Sequence, residues 1–303
     1  MIDILLATFN GASYIRSQIF SIISQDYTDW RLIIHDDGST DKTVDLIKEL
    51  ASYDQRIRLI EDNVTHLGPG ANFMHLLNFS DAPYCCFCDQ DDVWFDNKLT
   101  IMHRAFSTLD HSRPQVLFSG AYLWDSSSNC LPRKNFQKKV FQFEDILFHN
   151  GGMQGAASMF NAKMRDSINK KYEYVAMHDQ ILSLAGILYK GIHFIDTPLF
   201  LYRQHANNVT AHIPQNKSDK VKISLANRSI PVVVKKYYDG IIAFYHLFRD
   251  EMTESQRRIF ELYICYPNYN STKRFFSILI HGFSCHDSHI QLIIKLLIRP
   301  YFQ

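Results

Sequence analysis

The first 90 residues of this 303-residue chain alternate between short apolar runs and segments with helical periodicity. The predicted strands are residues 2–8, 31–35, 57–61 and 84–88. The predicted helices are residues 13–25, 41–50 and 70–79. Four strands that alternate with helices over so short a length favour an α/β fold with a mostly parallel, doubly wound sheet.

Polar residues follow the predicted strands, at the end where each strand leaves the sheet. They are Thr8, Asn10, Asp36, Asp37, Asp89 and Asp91. In a parallel, doubly wound sheet, ligands bind beyond the carboxyl ends of the strands. We therefore expect these side chains to line one crevice.

Residues 88–92 read Cys-Asp-Gln-Asp-Asp, directly after an apolar run. Mutually repelling carboxylates are tolerable where a divalent cation neutralises them, and Mg²⁺ and Mn²⁺ prefer oxygen ligands. The spacing Asp89-x-Asp91 therefore suggests a site for a metal-bound nucleotide. A solvated, aspartate-rich turn is the alternative, and Asp92 either orients its neighbours or binds the cation itself.

The composition is that of a globular enzyme, with 46% hydrophobic and 14% aromatic residues. Three of the six cysteines fall in one predicted strand, which favours buried free thiols in a reducing cytoplasm. Met1 is followed at once by a predicted strand, so a signal peptide is not expected. No apolar run reaches the ~18 residues that span a bilayer.

The net charge of +1 conceals a basic C-terminal region. Residues 216–303 contain 13 Lys and Arg against 7 Asp and Glu. Their two apolar patches, residues 275–280 and 290–298, have basic residues at the margins. We expect a catalytic domain at residues 1–215 and a helical extension at 216–303. The extension either lies on an anionic membrane surface or caps the protein's own core.

Six motifs, in order along the chain, resemble those of family 2 glycosyltransferases with the GT-A fold, in the bacterial polysaccharide branch that includes rhamnosyltransferases. They are Ala-Thr-Phe-Asn-Gly at 7–11, His-Asp-Asp-Gly-Ser-Thr-Asp at 35–41, Cys-Asp-Gln-Asp-Asp-Val-Trp at 88–94, the glycine-containing loop at 150–161, His-Asp-Gln at 178–180 and Tyr-Arg-Gln-His at 202–205. The resemblance covers residues 1 to about 210. It implies a GT-A sheet followed by a C-terminal helical extension.

The resemblance also implies roles for individual residues. It implies a nucleotide site at Thr8, Asn10, Asp36, Asp37 and Asp89, and a site for Mn²⁺ or Mg²⁺ at Asp89, Asp91 and His205. Asp179 is the expected catalytic base for a single, inverting displacement. Its alternative role is the N-cap of a predicted helix at residues 180–186. The expected acceptor or phosphate contacts are Gly155, Trp94 and Arg203.

The implied reaction transfers a sugar from dTDP-rhamnose, UDP-glucose or UDP-galactose to a polyprenyl-diphosphate-linked saccharide, in the synthesis of O antigen or capsule. The implied location is the cytoplasm, on the inner membrane face, and no nucleic-acid partner is implied. A dehydrogenase would carry G-x-G-x-x-G after the first strand, whereas residues 8–13 of this chain read Thr-Phe-Asn-Gly-Ala-Ser. A sugar-phosphate nucleotidyltransferase would carry a basic, glycine-rich loop there. A catalytically silent, nucleotide-sugar-binding homologue is the remaining alternative.

Overall fold

The computed structural model describes residues 1–125, 133–135, 139–205, 231–285 and 288–302. The chain divides into two compact units. The sheet unit comprises Met1–Lys139, Met153–Lys170 and Tyr189–Asn207, and the helical unit comprises Val140–Gly152, Lys171–Leu188 and Asn208–Gln303. The boundary predicted after residue 215 falls within residues 206–230, outside the described part of the chain.

Nine strands of the described residues form one sheet in the sheet unit. They are β1 (Ile2–Thr8), β2 (Trp30–Asp36), β3 (Ile57–Ile60), β4 (Tyr84–Cys88), β5 (Val93–Trp94), β6 (Val116–Asp125), β7 (Arg133–Asn135), β8 (Ser158–Asn161) and β9 (Ile192–Gln204). Their order across the sheet is β3-β2-β1-β4-β8-β6-β9-β5, with β7 beside β6.

The first four strands run parallel, with Thr8 of β1 opposite Asp36 of β2 and Leu6 of β1 opposite Cys88 of β4. β6 and β9 are also parallel, whereas β8, β5 and β7 pair antiparallel with their neighbours. Parallel strands covered on both faces need nearly continuous apolar sequence, which β1 and β4 have. The predicted strands at 2–8 and 84–88 match β1 and β4, and the predicted α/β fold class is confirmed.

Helices connect and cover these strands. Those of the sheet unit are α1 (Ile15–Ile23), α2 (Thr43–Tyr53), α3 (Pro69–Leu76), α4 (Lys98–Phe106) and α6 (Ala162–Ile168). Ile15, Ile19 and Ile22 of α1 are fully buried, because residues three and four apart share one helix face. Pro69 begins α3 after Gly68, whose φ of +78° a glycine adopts without strain.

The helical unit has its own aromatic core. Its helices are α5 (Phe143–Ile146), α7 (His178–Leu188), α8 (Lys235–Phe248), α9 (Glu254–Cys265), α10 (Ser271–His281) and α11 (His289–Ile298). The Phe148 ring meets the rings of Tyr263, Tyr266 and Phe283 edge to face. The predicted helix at 180–186 lies within α7.

α10 and α11 pack against each other and leave apolar side chains in solvent. Ile280 of α10 is 71% exposed, and Ile290 and Leu297 of α11 are 70% and 78% exposed. Among the described residues, no helix has the length and apolar character needed to cross a bilayer.

Candidate active site

The carboxyl ends of β1 and β2 are joined by a side-chain hydrogen bond. Thr8 Oγ1 donates to Asp36 Oδ1 at 2.8 Å. The same carboxylate accepts from the N–H of Gly38 at 3.1 Å, the N–H of Ser39 at 2.7 Å and Ser39 Oγ at 2.6 Å. The structure therefore brings Thr8 and Asp36 together, within an Asx turn that follows β2.

Asp37 ties the end of β2 to the beginning of α3. Its Oδ1 accepts from the N–H of Leu67 at 2.7 Å, and its Oδ2 accepts from the N–H of Gly68 at 2.8 Å. The side chain is buried. Both carboxylate oxygens thus hold the loop that precedes α3.

Asn10 links the loop after β1 to the turn after β2. Its Oδ1 accepts from the N–H of Thr40 at 2.8 Å, and its N–H donates to Ser39 Oγ at 2.8 Å. Its φ of +46° lies in the left-handed region, which asparagine tolerates better than most residues. Asn10 therefore lies beside the turn that Thr8 and Asp36 form at the carboxyl ends of β1 and β2, as predicted.

Gln90, between the two aspartates of the Asp-x-Asp motif, links β1 to β4. The N–H of Phe9 donates to Gln90 Oε1, and Gln90 Nε2 donates to Phe9 O, both at 3.0 Å. A Cβ at Gly11 would lie 2.1 Å from Gln90 Oε1, so the glycine leaves room for this amide. Sequence reasoning missed the role of Gln90.

Asp91, in the loop after β4, contacts His205, which directly follows β9. His205 Nε2 lies 2.8 Å from Asp91 Oδ2, and each side chain is 15% exposed. The His205 ring stacks on Tyr14 at 4.7 Å between centroids. Asp89 is partly buried at the end of β4. The structure thus places two of the predicted cation ligands in direct contact, although they are far apart in sequence.

Asp92 is fully buried behind this pair. Its Oδ1 accepts from the N–H of Arg203 at 3.2 Å, and its Oδ2 has no hydrogen-bond partner among the described residues. Burial, with the neighbouring charges of Asp91 and Asp89, raises the pKa of Asp92 well above its usual value. Burial therefore favours the neutral form of this carboxyl group.

Lys98 is a buried cation that the sequence patterns did not indicate. Its Nζ donates to Ala156 O at 2.6 Å and lies 3.8 Å from the centroid of the Trp94 ring and 4.3 Å from that of Phe200. Burial lowers the pKa of Lys98 to about 8, and nearby thiols and the Asp92 and Asp89 carboxylates oppose that effect. The lysine thus adds positive charge behind the acidic loop.

Arg203 supports the acidic loop from β9. Its Nε donates to Asp91 O at 2.7 Å, and its guanidinium lies 4.2 Å from the centroid of the Trp124 ring. The side chain is only 8% exposed. This placement favours a positioning role for Arg203 over the predicted phosphate contact.

Trp94 and Gly155 are both buried. Trp94 is 3% exposed, and its ring is covered by Lys98. Gly155 begins the 3₁₀ turn Gly155–Ala157, and its carbonyl accepts from Ser158 Oγ at 2.6 Å. Trp94 exposes almost none of its ring and Gly155 has no side chain, so contact with an acceptor would have to involve the backbone or a local movement.

Asp179 lies in the first turn of α7, in the helical unit. Its Oδ1 has no hydrogen-bond partner among the described residues. Burial raises the pKa of Asp179 to about 7, and the N–H of Gln180 and the charge of Lys236 act in the opposite direction. A Cβ at Gly152 would lie 2.1 Å from the Asp179 carbonyl oxygen, so this helix terminus requires a glycine beside it.

The donor set at the acidic loop fits the implied divalent cation. Asp91 Oδ2 and His205 Nε2 already approach each other, and buried Asp92 Oδ2 lacks a hydrogen-bond partner within the described residues. Carboxylate oxygens suit both Mg²⁺ and Mn²⁺, and an imidazole ligand favours the transition metal of the two. Asp89, Asp91 and His205 are the residues that would hold the ion.

The sequence profile described as glycosyl transferase family 2 matches residues 3–170. The chain belongs to this family. The transferase is 30% identical to the dTDP-rhamnosyl transferase RfbG of Shigella flexneri over 77% of this chain and 80% of that protein. It is 28% identical to the UDP-Glc:alpha-D-GlcNAc-diphosphoundecaprenol beta-1,3-glucosyltransferase WfaP of Escherichia coli, over 81% of this chain and 92% of that protein.

Solved structures show the same fold. TarS of S. aureus, solved in complex with UDP-GlcNAc, superposes on the transferase with a TM-score of 0.61 and 14% identity, over 96% of this chain and 81% of that one. The mannosyltransferase PcManGT from Pyrobaculum calidifontis, in complex with GDP-Man and Mn²⁺, gives a TM-score of 0.50 and 14% identity, over 98% of this chain and 85% of that one. The predicted family, GT-A fold and glycosyltransferase activity are confirmed.

Proposed function

We propose that the transferase moves one sugar from a nucleotide sugar to a lipid-linked saccharide, with inversion at the anomeric carbon, during synthesis of a bacterial surface polysaccharide such as O antigen or capsule. One observation carries the proposal: in a member of this family, Thr8 with Asp36 and Asp91 with His205 lie at the carboxyl edge of one sheet. The names of RfbG and WfaP support the class of donor and acceptor.

The nucleotide end of the donor is assigned to Thr8, Asn10, Asp36 and Asp37. Carboxylate and hydroxyl oxygens can accept from a pyrimidine ring N–H and from ribose hydroxyls. Asp36 already accepts four hydrogen bonds, so a bound nucleoside replaces or shares one of them. Candidate donors are dTDP-rhamnose, UDP-glucose and UDP-galactose.

A divalent cation, Mn²⁺ or Mg²⁺, is assigned to Asp89, Asp91 and His205. When bound, such an ion offsets the negative charge that develops on a departing diphosphate. Arg203 and Asp92 hold the ligand loop in place, since Arg203 Nε donates to Asp91 O and the N–H of Arg203 donates to Asp92 Oδ1. Lys98 contributes positive charge from behind the same loop.

Asp179 is proposed as the base that removes the proton from the acceptor hydroxyl. A carboxyl group whose pKa is raised to about 7 is matched to proton transfer near neutral pH. Its Oδ1, without a hydrogen-bond partner among the described residues, is available to accept that proton. A single displacement by the acceptor oxygen inverts the anomeric configuration.

The exposed apolar face of α10 and α11 is proposed to lie on an anionic membrane surface, where a polyprenyl-diphosphate acceptor would be anchored. Ile280, Ile290 and Leu297 supply the apolar contact. Arg274 lies over the Tyr301 ring and Lys295 Nζ contacts Cys285 Sγ, so part of the basic margin is engaged within the unit. The exposed apolar side chains therefore support membrane contact more strongly than the basic residues do.

The decisive experiment for the transferase activity is a two-stage assay. Thermal unfolding is measured with each candidate nucleotide sugar and Mn²⁺, because a ligand present at ~100 times its dissociation constant stabilises the folded state by ~2.7 kcal/mol. The donor that protects is then incubated with a synthetic polyprenyl-diphosphate saccharide, and the linkage of the product is determined by NMR.

We expect one donor to raise the melting temperature and to yield an inverted glycoside. Protection without turnover or donor hydrolysis would identify a silent binding homologue. Retention of the donor's anomeric configuration would contradict the single displacement.

A further inference from the structure

A second cluster of metal-ligating side chains lies in the sheet unit, apart from the Asp-x-Asp loop. Among the described residues, His35, Asp62 and His75 form a group whose ligand atoms all lie within 4.8 Å of one another. His35 is at the end of β2, Asp62 follows β3, and His75 is in α3. Nothing in the proposed transfer reaction uses these three side chains.

The hydrogen bonds around His35 determine which of its nitrogens is protonated. Asn72 Nδ2 donates to His35 O at 3.3 Å, which turns Asn72 Oδ1 toward His35 Nδ1 at 2.6 Å. An amide oxygen only accepts, so Nδ1 carries the proton. In a neutral His35, Nε2 then presents a lone pair to Asp62 Oδ1, 3.3 Å away.

A nitrogen lone pair and a carboxylate oxygen repel each other. Either a second proton or a cation is therefore required between His35 Nε2 and Asp62 Oδ1. His75 Nε2 approaches the other oxygen of the same carboxylate, Oδ2, at 2.6 Å. The carboxylate is thus bracketed by two imidazole nitrogens. His35 is fully buried, whereas Asp62 and His75 are 26% and 23% exposed, which leaves a path for an ion to enter.

The donor set and its dimensions suit zinc. Two imidazole nitrogens and one carboxylate oxygen are common Zn²⁺ ligands, and bond lengths of about 2.0–2.1 Å place neighbouring ligands of a tetrahedral ion about 3.3 Å apart. His35 Nε2 and Asp62 Oδ1 already have this separation, whereas His75 Nε2 lies 2.6 Å from the other oxygen, Oδ2, so the carboxylate and the His75 ring must shift to bring one oxygen near both nitrogens. Histidine ligands usually donate their other ring N–H to an oxygen, as His35 does to Asn72.

We propose that His35, Asp62 and His75 bind a divalent transition-metal ion, Zn²⁺ by preference, with a fourth position open to water. The ion would cross-link the end of β2, the loop after β3 and α3. Asp37 holds the residues that precede α3 through Leu67 and Gly68. The metal would therefore stabilise one wall of the crevice that contains the proposed nucleotide ligands.

The test uses the full chain, stripped of metal, with Asp91→Asn to remove the cation site at the acidic loop. A second arm uses the wild-type chain with excess Mg²⁺, which is intended to fill the proposed cation site at the acidic loop. The cluster of His35, Asp62 and His75 does not retain Mg²⁺, because two of its three ligands are histidines. Co²⁺ is the spectroscopic probe, since tetrahedral cobalt absorbs strongly in the visible range, and Zn²⁺ binding is measured by equilibrium dialysis. His246→Ala is the matched control, because His246 is exposed on α8, outside the cluster.

We expect one equivalent of Zn²⁺ to bind in both arms, with a tetrahedral Co²⁺ spectrum and a rise in melting temperature. His75→Ala should weaken binding by more than tenfold and abolish the thermal shift, whereas His246→Ala should change neither. Asp62→Asn, which keeps the size of the side chain, provides a second ligand variant in case His75→Ala folds poorly. Absence of the tetrahedral spectrum, or equal affinity in His75→Ala, would overturn the proposal and leave a protonated His–Asp–His network.

Discussion

Four aspartates at the carboxyl edge of the sheet, Asp36, Asp37, Asp91 and Asp92, make different kinds of contact. Asp36 and Asp37 accept hydrogen bonds from nearby backbone N–H groups, so they shape the turns on which they lie. Asp91 instead faces the His205 side chain, and Asp92 is buried behind it. Substitutions of these four residues should therefore give separable effects on folding, donor binding and cation binding.

The Asp91 carboxylate should be required for turnover. Asp91→Asn removes the charge but keeps the size of the side chain, so we expect activity to fall by ~10²-fold or more, in line with the several kcal/mol that a catalytic cation contributes. EDTA should abolish the activity of the wild-type enzyme, and Mn²⁺ should restore it. Steady-state transfer assays measure both effects.

Asp110→Asn is a suitable control for Asp91→Asn, since Asp110 is 54% exposed in a surface turn. This variant should retain full activity. Undiminished transfer by the wild-type enzyme in EDTA would contradict the assignment of Asp89, Asp91 and His205 to a cation.

Asp179→Asn should separate donor binding from chemistry. We expect donor affinity close to wild type and a loss of ~10²–10⁴ in kcat, the usual contribution of a positioned base. Because the pKa of Asp179 is about 7, the wild-type rate should rise as pH increases through 7 and then level off. The variant should lack this rise; an equal loss of donor affinity would make Asp179 a binding residue.

At the scale of secondary-structure elements, the end of β9 supports the loop after β4. Arg203 and His205, both near the carboxyl end of β9, contact Asp91 through its backbone and its side chain respectively. Cation binding should therefore depend on the packing of β9 as well as on the ligands themselves.

Arg203→Lys tests this dependence. Lysine lacks the planar guanidinium that bonds Asp91 O and lies over Trp124, so we expect the Mn²⁺ concentration for half-maximal activity to rise by about tenfold. Nucleotide affinity measured in EDTA should stay unchanged. If Arg203 bound phosphate, as the sequence motif suggested, nucleotide affinity would fall even without metal.

The exposed apolar face of α10 and α11 should determine membrane binding. Ile280→Asp and Leu297→Asp replace side chains that are 71% and 78% exposed, so they should leave the fold intact and weaken binding to anionic liposomes. Tyr53→Asp, at an 82% exposed position on α2, should have no such effect. Liposome sedimentation gives the comparison, and a wild-type protein that does not sediment with liposomes would exclude this surface.

At the scale of the whole molecule, ionisation of Asp179 should lower stability. The folded-state pKa of about 7 lies above the usual carboxyl value of 3.8, so the folded state binds the proton more tightly. The resulting stability is fully present below about pH 4 and is lost as pH rises toward 7. Asp179→Asn cannot ionise, so its melting temperature should exceed that of the wild type by more at pH 8 than at pH 5. A constant difference between the two pH values would contradict the raised pKa.

The sequence predicted local elements well and long-range contacts poorly. β1 and β4 were predicted to the residue, because strands buried on both faces need continuous apolar runs whose ends are marked by polar residues. The clustering of Thr8, Asn10 and Asp36 followed from the parallel order of β1 and β2. The burial of Lys98 had no local signal, since it depends on Trp94 and Phe200 approaching from two strands.

The Gln90 amide links the two loops that border the crevice. The two hydrogen bonds to Phe9 brace the loop after β1 against the loop after β4. These hydrogen bonds fix the spacing between the proposed nucleotide ligands and the proposed cation ligands in the absence of a donor. Preorganisation of this kind lowers the entropy cost of binding, by about 0.5–1.5 kcal/mol for each side chain that is already immobilised. Gln90, between the two aspartates, thus has a structural role, and Gly11 leaves the room that its side-chain amide occupies.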